Sequence, residues 1–339
     1  MTSSLANKSL QKNRKTISTK TQSAKLRRAK LAQELATVAA YVEGGLSANT
    51  LRAYASDKAH YKHWGGTIPA TPQTVARYLA ECAKTLKVSS LSRHLAALAR
   101  EHAARGLPSP TQSQLVKATL RGIRRAHGCA QKQAKPLTPA LMRKLIKPVP
   151  DYSALRNCRD RALLLVGFYG GFRRSELASL TIKDVIFAPR GAVIHLRSAK
   201  TDQNSVGREI ALPSTQTTFC AVRALRDWIA CLSDFDSRNG NFTKSTALFR
   251  KIDRYDNIGG GLCGAGIGWI LQSRLQAKGM EVDGYSAHSL RAGLVTSAAK
   301  AGAPIWQIQR QTGHKSEQMV GRYIRKVGMF DSNVVSRLF

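Results

Sequence analysis

Residues 286–323 read SAHSLRAGLVTSAAKAGAPIWQIQRQTGHKSEQMVGRY and hold a dense set of phosphate-binding and proton-transferring groups that ends in a tyrosine. Apolar spacing predicts helices at about 288–301, 304–312 and 316–325. His288 and Arg291 lie three apart and so share a helical face. Arginine can grip a phosphate with two parallel hydrogen bonds, and histidine can move a proton near neutral pH. Thr312-Gly313-His314 follows, and Tyr323 comes nine residues after His314. Each part alone is weak. A His-x-x-Arg pair is commonly a salt-bridging surface feature, and a tyrosine on a late helix usually belongs to a core. A phenol with a pKa of about 10 attacks poorly unless cations and a base surround it. Arg322, Arg325 and Lys326 supply cations beside Tyr323.

The charge of the whole chain points the same way. Fifty-four Lys and Arg against twenty Asp and Glu leave a formal charge of +34 over 339 residues. Such an excess calls for a polyanionic partner, with nucleic acid the commonest. A membrane surface would need a basic amphipathic anchor or a lipidation signal, and neither MTSSLANKSL at the start nor SRLF at the end supplies one. Cys82, Cys129, Cys158, Cys220, Cys231 and Cys263 form no Cys-x-x-Cys pair. They read as incidental or buried thiols in a reducing cytosol rather than zinc ligands or a disulfide framework.

Working back from residue 286, the chain divides into five parts. Residues 1–33 carry nine Lys or Arg and no acid, which predicts a basic flexible arm. Residues 34–127 predict a helical domain, its helices at about 23–43, 47–64, 71–83, 89–105 and 114–125. Residues 128–137 are polar, basic and end near a proline, which predicts a linker. Residues 138–326 predict a second, α+β domain. It contains a buried helix over 155–169, strands at TIKDVIF, 192–197 and 209–212, a helix over 217–232, a short strand over 247–252, a glycine-rich loop over 253–262 and a helix over 266–278. Residues 327–339 form a tail. Arg52, Lys58, Lys62, Arg93, Arg121 and Arg124 are the candidate DNA-contacting residues of the helical domain, from charge and helix placement.

In combination these residues resemble the tyrosine recombinase (phage integrase) superfamily, and Cre-like recombinases in particular. That family's first box is matched by Gly171-Phe-Arg173-Arg174-Ser175-Glu176-Leu177, in which Arg173 takes the arginine role with Arg174 beside it. Its second box is matched by His288-Ser-Leu-Arg291, Thr312-Gly-His314 and Tyr323. Its hairpin lysine is matched by Lys200, the only lysine between Lys183 and Lys244.

The resemblance implies a mainly α fold with a small β-sheet. A helical core-binding domain and a catalytic domain would close on DNA as a C-shaped clamp. It implies a site-specific recombinase acting on a double-stranded recombination site through a 3′-phosphotyrosyl bond, monomeric in solution and tetrameric on DNA. In that scheme Tyr323 attacks, Arg173 and Arg291 hold the phosphate, and Lys200 protonates the leaving oxygen. His288 serves as base or orients the phosphate, His314 donates a hydrogen bond, and Glu176 supports its neighbours. No metal or cofactor is implied, and the protein would sit in the cytoplasm on nucleoid DNA. The apolar residues Val334, Val335, Leu338 and Phe339 imply a tail that docks into a neighbouring subunit. A type IB topoisomerase shares the chemistry, and a catalytically silent DNA-binding protein shares the charge.

Overall fold

The computed structural model describes residues 44–128, 133–197, 207–238 and 246–324, with a few isolated positions before 44. The chain divides into two compact units, Met1–Gln131 and Lys132–Phe339. Most of the helix expected over 23–43 lies outside the described residues, as do Lys200 and the tail 327–339.

The described part of the smaller unit is helical. Its elements are α1 (Ala48–His63), α2 (Pro72–Cys82), α3 (Val88–Ala104) and α4 (Gln114–His127). Local chemistry sets their starts: the side chains of Ser47, Thr71 and Ser113 accept the Thr50, Thr74 and Val116 N–H groups. Tyr61, Val75, Tyr78, Leu79, Leu91, Leu98 and Val116 form the core. His102, on the same stripe as Leu91 and Leu98, is fully buried. It is satisfied by the Leu98 carbonyl and the Ala70 N–H.

The larger unit runs α5 (Pro139–Leu145), α6 (Ala154–Gly170), α7 (Arg174–Ser179), β1 (Val185–Ala188), β2 (Gly191–Leu196), β3 (Arg208–Pro213), α8 (Ala221–Arg238), β4 (Arg250–Ile252), β5 (Ile258–Gly261), α9 (Gly264–Ala277), α10 (His288–Lys300), α11 (Ile305–Thr312) and α12 (Glu317–Ile324). Helix α6 is the central element, with Leu163, Leu164, Leu165 and Val166 fully buried. Strands β1, β2 and β3 form an antiparallel meander in which Leu196 pairs with Arg208. The run TIKDVIF begins as a 3-10 turn over Ile182–Asp184, so only its second half is strand.

Two sequence expectations change. The glycine-rich stretch 253–262 is not all loop, because β5 pairs antiparallel with β4. Glycine disfavours a strand, but Arg250 holds this one. Its guanidinium donates to the Gly259 and Ile258 carbonyls and is itself anchored on Asp236. The stretch 128–137 is not all linker either. The Lys135 N–H donates to the Gly284 carbonyl, the Leu137 N–H donates to the Ser289 carbonyl, and Leu137 is fully buried in the core of the larger unit. Polar composition hid a segment that docks through its backbone.

That docking depends on Gly293 of α10, where an added Cβ would lie 2.2 Å from the Leu137 carbonyl oxygen. Gly293→Ala is therefore expected to destabilise the larger unit by about 1–3 kcal/mol, and a lowered calorimetric melting temperature would show it. An unchanged melting temperature would mean that the 135–137 segment contributes nothing.

Candidate active site

Two helix ends build the floor of the site. Helix α6 ends at Gly171 and α11 ends at Gly313, both in the left-handed conformation (φ +55° and +68°). Such ends leave carbonyls without intrahelical donors. At α11 three successive carbonyls are taken by three arginines. Arg208 Nη1 donates to Gln311 O at 2.9 Å, Arg291 Nη1 to Thr312 O at 2.6 Å, and Arg173 Nη2 to Gly313 O at 3.3 Å. Arg291 Nη1 also donates to Gly171 O at 2.7 Å, so it ties both helix ends together. The negative end of each helix dipole favours a cation there.

Glu176, 2% exposed, joins two of these arginines. Its carboxylate accepts from the Arg173 backbone N–H at 2.9 Å, Arg173 Nη1 at 2.5 Å and Arg208 Nη2 at 3.3 Å. Arg173 precedes the first residue of α7, and Glu176 lies three residues on, so one short helical turn fixes both. The count of charges is unequal: three guanidinium groups face one carboxylate. Burial and the charge of Arg173 lower the Arg291 pKa to about 10, which leaves it protonated at neutral pH. Among the described residues the buried donors Arg291 Nη2 and Arg208 Nε have no hydrogen-bond partner. Buried unpaired donors beside excess positive charge fit an anionic oxygen.

Above this floor stand the proton-transferring groups. His288 Nε2 lies 2.6 Å from Tyr323 Oη. His288 is at the open mouth of the site, yet the protein packed around its ring and the charges of Arg291, Arg173 and Arg174 hold its pKa below the ordinary 6.5. Neutral at pH 7, it offers a lone pair to the phenol. Burial raises the Tyr323 pKa, and Arg291, Arg173 and Arg322 oppose that rise. His314 is buried, with a pKa lowered to about 3 by burial and by Arg291, Arg173, His288 and Arg208. The Thr312 hydroxyl donates to the Ile308 carbonyl at 2.6 Å and lies 2.7 Å from His314 Nδ1. With its proton committed to Ile308, Thr312 accepts, so Nδ1 carries the His314 hydrogen.

The chain is similar to known proteins over most of its length. Residues 135–327 match the model of the phage integrase family. The integrase/recombinase XerD homolog of Selenomonas ruminantium is 34% identical over 301 residues, covering 86% of this chain and 85% of that protein. The chain belongs to the phage integrase family. Recombinase Cre of Escherichia phage P1 is 25% identical over 286 residues, covering 80% of this chain and 79% of Cre. The crystal structure of the XerH site-specific recombinase in a post-cleavage complex with a palindromic difH substrate superposes with a TM-score of 0.61 at 18% identity. It covers 82% of this chain and 76% of XerH. The larger unit is thus the catalytic fold of a tyrosine site-specific recombinase.

Six of the seven site residues predicted for this integrase-family chain come together: Arg173, Glu176, His288, Arg291, His314 and Tyr323. Lys200 lies outside the described residues. Arg174 packs its stem against Gly264 at the start of α9, where an added Cβ would meet its Cγ at 3.2 Å, and acts on the site through its charge on His288. Arg208 is a site residue that sequence reasoning did not single out. It opens β3 at no fixed spacing from either box, and only the hairpin register brings it to Glu176. Of the candidate DNA contacts, Lys62 and Arg121 are exposed. Arg52 donates to Asn49, Lys58 pairs with Glu101, Arg93 pairs with Asp57, and Arg124 reaches Ser92.

Arg208→Ala would remove one of the two arginines on Glu176 and the donor to Gln311. Strand cleavage in single turnover is expected to fall by about 10²-fold, the scale of a 1 Å misplacement of reacting groups. Arg208→Lys, which cannot span both acceptors with a planar fork, should recover only part of it. Unchanged cleavage by Arg208→Ala would remove Arg208 from the site.

Proposed function

We propose that this recombinase cleaves and rejoins double-stranded DNA at a specific site through a 3′-phosphotyrosyl intermediate. The observation that carries the reading is Tyr323 Oη, 2.6 Å from His288 Nε2, beside the unpartnered buried Nη2 of Arg291. A phosphodiester seated over the arginines would take hydrogen bonds from Arg291 and Arg173, which stabilise the charge that grows on its non-bridging oxygens. Tyr323 passes its proton to His288 as its oxygen bonds to phosphorus. The bond from phosphorus to the 5′-oxygen breaks, and Lys200 supplies the proton to that oxygen. Religation reverses the step with a 5′-hydroxyl as nucleophile. The covalent bond conserves the energy of the one it replaced.

His314 enters in two stages. Its neutral form carries hydrogen on Nδ1 and none on Nε2. An arriving phosphate adds negative charge beside it and raises its pKa, so Nε2 takes up a proton and becomes a donor to the phosphate. Glu176 holds Arg173 and Arg208 in register throughout.

Around this chemistry we place a four-subunit synaptic complex, with the tail 327–339 docking between neighbours. The helical unit would hold DNA with Arg52, Lys58, Lys62, Arg121 and Arg124 on phosphates. Action on nucleoid DNA in the cytoplasm follows from the same reading.

A nicked suicide substrate built on the DNA that the protein selects should trap a covalent adduct with wild-type protein and none with Tyr323→Phe. An adduct that persists in Tyr323→Phe would refute the nucleophile. The rate of adduct formation should also depend on pH in one direction. Because the His288 pKa is depressed, the base is available through neutral pH and is lost only as pH falls through a value below 6.5. An acid limb centred above 6.5 would exclude His288 as the base.

A further inference from the structure

Arg93 of α3 is held differently from the other described basic residues of the smaller unit. Its Nε and Nη2 donate to the two oxygens of Asp57, each at 2.8 Å. Asp57, on α1, is 3% exposed, while the Arg93 side chain is 47% exposed. The pair is therefore anchored at its acidic end and open at its basic end. Occupying Nε and one edge of Nη2 leaves the far edge of the guanidinium, Nη1 with the second Nη2 hydrogen, directed outward. Among the described residues no protein acceptor meets Nη1.

The anchor is itself fixed by a chain of hydrogen bonds with one consistent direction. His94 Nε2 lies 2.9 Å from Asp57 Oδ1, Tyr78 Oη lies 2.5 Å from His94 Nδ1, and His60 Nδ1 lies 2.8 Å from Tyr78 Oη. Burial lowers the His94 pKa against the opposing pull of Asp57, so the ring is neutral at pH 7. A carboxylate only accepts, so His94 donates from Nε2 and accepts at Nδ1. Tyr78, its pKa raised by burial, then donates to His94 and accepts from His60. Each proton has one place, and the carboxylate that aims Arg93 cannot rotate without breaking the relay.

We propose that Arg93 reads a guanine in the major groove of the recombination site, with Asp57, His94, Tyr78 and His60 as the residues that position it. This rests on the reading of the chain as a site-specific DNA recombinase. A guanine presents O6 and N7 as paired acceptors, and the outward edge of a fixed guanidinium matches them with two parallel hydrogen bonds. Phosphate contact is the poorer use of this residue. A bidentate carboxylate cancels most of the charge that a phosphate clamp needs, while leaving hydrogen-bond direction intact. Lys62 and Arg121, exposed and without an ion-pair partner among the described residues, suit the phosphates better. Arg124, whose Nη2 is 3.4 Å from Ser92 Oγ, reaches the residue next to Arg93 and can hold the neighbouring backbone.

The test is selection of binding sites from a random duplex library by full-length protein, comparing wild type with Arg93→Lys and Asp57→Asn. The wild-type motif should contain a guanine position that flattens in Arg93→Lys while the rest of the motif stays. Affinity for the selected site should fall about tenfold, and the dependence of binding on salt should keep its slope. Asp57→Asn should weaken preference at that same position, with Arg93 still present. A motif unmoved by Arg93→Lys, with a salt slope reduced by about one in the charge-removing Arg93→Gln, would make Arg93 a phosphate contact and overturn the proposal. A motif and slope both unmoved would reduce the pair to a structural bridge between α1 and α3, and would equally overturn it. If wild-type protein enriches no motif at all, the failure lies with the site-specific reading, and the proposal falls with it.

Discussion

Three consecutive carbonyls at the end of one short helix organise the active site. Gln311, Thr312 and Gly313 each present an acceptor that α11 cannot satisfy, and Arg208, Arg291 and Arg173 each fill one. The arginines come from β3, α10 and the turn before α7, so the end of α11 gathers distant parts of the chain on a single turn of backbone. Burying cations in this way is expensive unless their hydrogen bonds are met and a counter-charge is near. The carbonyls and Glu176 meet most of that cost. They do not meet all of it, because the one carboxylate pairs with two of the three guanidinium groups, and among the described residues two buried N–H groups of the site stay unpaired. In the proposed mechanism the residual imbalance supplies the affinity for phosphate. A fold that balanced the charges fully would be more stable and would bind its substrate less well.

Burial, with the same imbalance added to it, keeps both histidines neutral. Each lies beside the arginines, and each has a pKa held below the ordinary value. For His288 this makes a base that is free at neutral pH and close to Tyr323. For His314 it makes a residue whose donor capacity depends on the arrival of the anion. Thr312 is the hinge of this arrangement, since its carbonyl serves Arg291 while its hydroxyl fixes the tautomer of His314. One residue of the Thr-Gly-His segment thus links charge stabilisation to proton placement.

The helices were legible because their signals are local: Ser47, Thr71, Ser113 and Thr138 cap the helices that follow them, and apolar spacing marks α3 and α6. The six candidate catalytic residues that come together were legible because they sit at fixed spacing within two short boxes. Arg208 was not, since its place depends on the register of β2 against β3 across a loop, and no local pattern encodes that register. The docking of Lys135–Leu137 escaped for a related reason. It uses backbone N–H groups against Gly284 and Ser289, and backbone bonds leave no mark on composition. Strand β5 was hidden by its glycines, because what holds it is the side chain of Arg250 eight to nine residues away.

Arginine serves two purposes in this chain, and the carboxylate count separates them. In the larger unit Glu176 pairs with Arg173 and Arg208 while Arg291 bonds backbone carbonyls, so net charge survives where the proposed mechanism grips a phosphate. In the smaller unit Arg93 has Asp57 with both oxygens engaged, so charge is largely cancelled and direction remains. A chain with a formal charge of +34 has attraction for DNA to spare, and neutralising one arginine changes its salt-dependent binding little. What such a chain lacks is discrimination, because diffuse positive charge attracts every sequence alike. A guanidinium whose orientation is fixed by a buried carboxylate supplies discrimination at a position where losing charge does no harm. The Asp57–Arg93 pair makes little sense as added affinity, and good sense as a restraint on where that affinity is expressed.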